Sequence, residues 1–90
     1  MNTVYFKLKR EVSILDIDNE IKEKNKEIFL KIQSKIEASN TTQEKLAESV
    51  GITTSTYNGY LRNLKNGKKI TISSLHKIAI SLGINTKELL

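Results

Sequence analysis

The feature that most limits the fold is a series of short apolar runs, each stopped by a glycine, in a chain that contains no proline. "QEKLAESV" stops at Gly51. The run carrying Tyr57, Tyr60, Leu61 and Leu64 ends in "KNGKK", with Gly67, and Leu75, Ile78, Ala79 and Leu82 precede Gly83. Apolar residues at steps of three and four mark one face of a helix. Glycine just past such a run is the usual left-handed terminator. Thr42, Thr53 and a residue near Ser73 stand where N-caps belong. The spacing predicts a short helix over "QEKLAESV", a second over about 54–65 and a third over roughly 72–82. "NTKELL" supplies a last short turn or helix, with Ile84, Leu89 and Leu90 returning to the core.

Upstream, Ile21, Ile28, Ile32 and Ile36 recur at helical spacing beside Phe29, with Lys and Glu on the other face. Asp18 is the expected N-cap and Glu20 lies in the first turn, where the helix dipole favours a negative charge. A long helix over about 19–38 is expected, ending at the polar "ASNTT". Before it, "TVYFKLKREVSILDI" alternates Val4, Phe6 and Leu8 against Tyr5, Lys7 and Lys9, the period of a half-buried strand. No second strand follows, so this segment either pairs with a partner chain or lies as an extended arm. Pairing with its twin across a two-fold axis is the preferred reading. The expected architecture is all-α: five helices over 18–90, preceded by an N-terminal extended strand or arm over 1–17 that serves dimerisation.

Ninety residues make one domain near the lower end of what supports its own core, so burial in a homodimer would add stability. Cysteine is absent and His76 is the single histidine, which leaves no thiolate or histidine cluster for a metal. No cofactor is expected. No basic-then-apolar leader is evident and no apolar run approaches ~18 residues, so the expectation is a cytoplasmic protein without a membrane span.

Charge divides the chain. Residues 1–48 hold nine Lys/Arg and nine Asp/Glu, which cancel. Residues 49–90 hold Arg62, Lys65, Lys68, Lys69, Lys77 and Lys87 against Glu88 alone, so the net charge of +5 resides there. A solvated lysine face normally mixes both signs. A one-signed surface is what neutralising phosphates requires.

The blocks "TQEKLAESVGITTS" and "LKNGKK", followed by "SSLHKIAISLGINTKELL", resemble the phage-repressor-like helix-turn-helix family, the Cro/C1 or Xre type. Gln43, Ala47 and Gly51 fall at steps of four within the first block. A small residue at 47 lets two helices approach, and Gly51 permits the positive φ of the turn. The resemblance covers residues 42–90 firmly, the preceding helix loosely, and residues 1–17 not at all. It implies a five-helix domain that binds double-stranded DNA, commonly as a dimer, and acts as a transcriptional repressor or regulator.

Matched position by position, Gln43 falls where the start of one helix meets a phosphate; a plain first-turn glutamine is the other reading. Thr53, Thr54 and Ser55 fall at the start of the recognition helix, where side chains reach base edges or phosphates; for Thr53 a capping role alone is the other reading. Asn58 falls at an outward position from which a bidentate pair with adenine is reachable. Gly59 costs helix stability of roughly 1 kcal/mol relative to alanine, and would admit close approach of DNA or of another helix. Arg62, one turn further, is placed for a guanine or a phosphate. Lys65, Asn66, Lys68 and Lys69 suit backbone contacts in the following loop. Tyr57 stands where the family usually has Ile or Val, and is expected in the core with its hydroxyl reaching the edge. Tyr60 divides between core and phosphate contact, and His76 is expected at the surface or its boundary. Gly51 and Gly67 are sixteen positions apart, wider than the family's usual interval by about one helical turn, ~3.6 residues. Since Tyr57, Leu61 and Leu64 stay in phase, the extra residues are expected to lengthen the helix rather than interrupt it.

Catalysis finds no support: no carboxylate pair in an apolar setting and no phosphate-cradling glycine loop accompany the lone histidine. The competing reading is a helix-turn-helix protein-interaction module, or an antitoxin-type autorepressor with a protein partner, whose N-terminal strand adds to a partner's sheet. The acid-free span 49–87 favours DNA.

Overall fold

The computed structural model describes residues 14–90. Four α-helices follow in order: α1 (Ile14–Ser39), α2 (Gln43–Ser49), α3 (Thr54–Lys65) and α4 (Ile72–Ser81); a 3-10 turn spans Thr86–Glu88. No strand occurs among the described residues. The expected fifth helix is therefore this single 3-10 turn. Residues 1–13, the bulk of the expected strand, lie outside the described residues. Residues 14–17 belong to α1 instead, and the expected boundary between arm and domain falls inside that helix.

Asp18 is consequently a residue within α1 and not its cap. The helix starts earlier because Ile14, Ile17 and Ile21 already stand at helical spacing, and Asp16 supplies the negative charge in the first turn. The downstream helices each begin on a threonine. Thr42 Oγ1 accepts the Lys45 N–H at 3.2 Å, Thr53 Oγ1 the Thr56 N–H at 3.0 Å, and Thr71 Oγ1 the Ser74 N–H at 3.0 Å. Each satisfies one of the donors left open in a first helical turn. The cap of α4 is thus Thr71 rather than Ser73, which faces solvent inside the first turn.

Helix ends are just as uniform. Gly51 N–H donates to Glu48 O and Ile52 N–H to Ala47 O; Gly67 and Lys68 repeat the pair on Leu64 and Asn63, and Gly83 and Ile84 on Ile80 and Ala79. This doubled bond pattern is the Schellman motif.

One core unites the helices. Ile28 and Ile32 of α1, Leu46 and Ala47 of α2, Tyr57, Leu61 and Leu64 of α3, Leu75, Ile78 and Ala79 of α4, and Leu89 are buried together. Tyr57 is fully buried. Its hydroxyl lies 2.8 Å from Ser81 Oγ, a pair in which either oxygen can donate. Burial raises the Tyr57 phenol above its ordinary value of 10.0, with the Ser81 bond opposing. Phe29, Ile36, Ile52, Tyr60, Leu82 and Ile84 pack at the edge of this cluster. Two expectations fail at the periphery. Ile21 stays 50% exposed, as does Leu90.

Candidate nucleic-acid interface

Helix α3 presents two chemically opposed faces. Tyr57, Leu61 and Leu64 point inward and fix its roll against α1 and α2. That leaves Thr54, Ser55, Asn58, Arg62 and Lys65 exposed. At ~100° per residue, Ser55, Asn58 and Arg62 share one stripe of that surface. The helix runs unbroken from Thr54 to Lys65, so the wide glycine interval holds continuous helix without an intervening loop.

Tertiary packing adds α2 and α1 to this surface. A shallow groove of about 230 Å³ is lined by Gln43 of α2, by Asn58, Leu61, Arg62 and Lys65 of α3, and by Phe29 and Gln33 of α1. Gln43, Asn58, Arg62 and Lys65 are thereby brought together. Gln33 is a member that the sequence pattern does not single out. Its amide lies 3.4 Å from Glu37 Oε2 on its own helix, and in sequence it looks like any polar residue of a Lys/Glu-rich face. Only the crossing of α1 over α3 puts it beside Arg62.

Other expected residues divide by what holds them. Thr53 is committed locally: its hydroxyl accepts the Thr56 N–H and donates to Thr56 Oγ1 at 2.9 Å. No described helix packs against Gly59. A Cβ there would meet only Arg62 Nη2, at an ordinary 3.9 Å. Packing against another described helix is thus not its reason. Asn66, Lys68 and Lys69 lie in the loop after α3, all exposed. Tyr60, half-buried, lines a separate depression with Asn63, Lys69 and Ile70. His76 is exposed and its Nδ1 meets Thr86 Oγ1 at 2.9 Å, tying α4 to the terminal turn.

Electrostatics follow the same partition. The ion pairs Lys24–Glu27 (3.3 Å), Lys26–Glu23 (3.7 Å) and Lys35–Glu88 (4.0 Å) all involve α1. None draws on Arg62, Lys65, Lys68 or Lys69. Those four cations belong to α3 and the loop after it, and no ion pair among the described residues compensates them. Also among the described residues, no group of His, Cys, Asp or Glu is placed to hold a metal, and no helix is long and apolar enough to cross a membrane.

Residues 32–89 match the family model described as helix-turn-helix, well over half of the chain. No curated protein and no solved structure matches it. The chain belongs to the Cro/C1-type helix-turn-helix family, a family of DNA-binding regulators.

Proposed function

We propose that this helix-turn-helix protein is a sequence-specific transcriptional regulator, a homodimeric repressor that lays α3 in the major groove of an inverted-repeat operator. The observation that carries the reading is the outer face of α3. Thr54, Ser55, Asn58 and Arg62 are exposed on a helix whose inner face is immobilised by Tyr57, Leu61 and Leu64. Asn58 and Arg62 are the residue types that make bidentate pairs with adenine and guanine. Gln43, Lys65, Asn66, Lys68 and Lys69 flank them as phosphate contacts, which set register and add salt-dependent affinity without base choice.

A dimer places two copies of α3 about one turn of B-DNA apart, roughly 34 Å. Residues 1–17 are proposed to contribute to that dimer. Ile17 and Ile21, one helical turn apart and about half exposed at the start of α1, extend the contact.

Selection of bound sequences from a random duplex library tests the reading directly. Enrichment of an inverted repeat is the expected result; no enrichment would favour a protein-interaction module. Replacing Asn58 or Arg62 by alanine should cost roughly 1–3 kcal/mol on the selected site and relax one base position each. Equal losses on selected and random DNA would demote both residues to backbone contacts.

A further inference from the structure

Asn25 occupies a position on α1 where the helical stripe of Ile21, Ile28 and Ile32 calls for an apolar residue. It is only 8% exposed. Asparagine is a weak helix former, and an unsatisfied buried amide is costly, so a buried asparagine is retained only where its hydrogen bond is met. Here Nδ2 donates to the carbonyl oxygen of Gly67 at 3.1 Å, across 42 positions of sequence. One turn earlier on α1, the aliphatic stem of Lys22 lies against the same glycine. A Cβ at Gly67 would clash with Lys22 Cγ.

Gly67 is the pivot of the loop that carries the cations. Its N–H is held by Leu64 O at 2.9 Å, and the next N–H, of Lys68, by Asn63 O at 2.7 Å. With the Gly67 carbonyl taken by Asn25, both polar groups of that residue are fixed. Lys65 and Asn66 precede this peptide directly, and Lys68 and Lys69 follow it, all four exposed.

We infer that Asn25 is a positioning residue for DNA binding: it clamps the Gly67 peptide to α1 so that Lys65, Lys68 and Lys69 leave a preset backbone toward phosphates. The inference rests on the DNA-binding reading above. Its physical basis is geometry: without the Asn25 bond the Gly67 peptide can turn and carry the lysines out of reach of phosphates, so contacts are lost. The clamp acts on phosphate contacts and leaves the base-reading face of α3 untouched.

The test is duplex binding by the full chain as a function of salt, for the wild type, Asn25→Ala and Ile28→Val. The last is a conservative core change one turn along the same helix, which lowers stability and keeps the Asn25 side chain. Removing one phosphate contact should lower the slope of log K against log salt by about 0.9, which is roughly eightfold in affinity at 0.1 M salt. Asn25→Ala should lower the slope by roughly one to two such increments while keeping the wild-type preference for the selected site over random DNA. Ile28→Val should keep the wild-type slope. An unchanged slope in Asn25→Ala, or an equal fall in Ile28→Val, overturns the inference. If Asn25→Ala does not fold, Asn25→Ser, too short to reach Gly67, takes its place. NMR on the free wild type is a further check: the bonded Asn25 side-chain amide should exchange slowly with solvent, and free exchange overturns the clamp. A wild type without salt-dependent DNA binding would instead remove the functional reading itself.

Discussion

The turns after α2 and after α3 are built to one local plan and end in different situations. Gly51 and Gly67 both adopt positive φ, +72° and +80°, and both close the same pair of backbone hydrogen bonds. Around Gly51 there is open space, with nothing within 4 Å of where a Cβ would stand. Gly67 is pressed by Lys22 and bonded by Asn25. The first turn thus depends on backbone conformation alone, whereas the second is welded to α1. The difference teaches that a helix terminator can also be a tertiary joint, and here the joint carries the exposed lysines.

Parallel alanine substitutions at the two glycines break the comparison most forcefully. Gly67→Ala should be the most damaging, costing roughly 2–5 kcal/mol, because the left-handed penalty adds to an overpacked contact with Lys22. Gly51→Ala should lose only the conformational part, about 1–2 kcal/mol. Thermal unfolding reads both, at roughly 4–8 °C per kcal/mol for a domain of this size. Equal losses would show that the Lys22 contact relaxes freely.

Gly59 sharpens the contrast from the other side, since it has neither positive φ nor a described element packed against it. Gly59→Ala should raise stability by about 1 kcal/mol through helix propensity. If DNA approaches that backbone, the same change should weaken duplex binding. A gain in stability with unchanged affinity would leave Gly59 without a role at the interface.

The smallest expected effect concerns Tyr57, which anchors α3 behind both turns. Burial raises its phenol above 10.0, so the folded chain keeps the proton where the unfolded chain loses it. Stability should therefore be level below pH 10 and fall as pH rises beyond it, toward the raised folded value. Tyr57→Phe should remove that alkaline decline at the cost of the Ser81 hydrogen bond, about 1 kcal/mol. Denaturant midpoints between about pH 8 and pH 11 measure it, and an unaltered decline would assign the titration to another group.

Much of this architecture is legible in the sequence because its causes are local. The caps Thr42 and Thr53, the terminators at 51, 67 and 83, and the limits of α3 depend on residues within a turn of one another. Where sequence and structure differ, the competing signal is also local. The alternation in "VYFKLK" runs into isoleucines that already stand at helical spacing, so Asp18 resembles a cap although the helix has begun before it. Ser73 yields to Thr71 because either hydroxyl can start a helix, and only Thr71 meets the Ser74 N–H. Ile21 and Leu90 fit the core by periodicity, which reports that a face is apolar but not whether anything covers it.

The candidate site shows the same limit. By itself the sequence determined which residues lie on the outer face of α3 and that the span around them lacks acids, since helical period and composition need no partner to operate. That Gln33 stands beside Arg62, and that Asn25 holds the Gly67 peptide 42 positions away, was decided by the tertiary structure alone. Both depend on the angle at which α1 crosses α3. No pattern along the chain encodes a crossing angle, because it is a property of two surfaces fitted together.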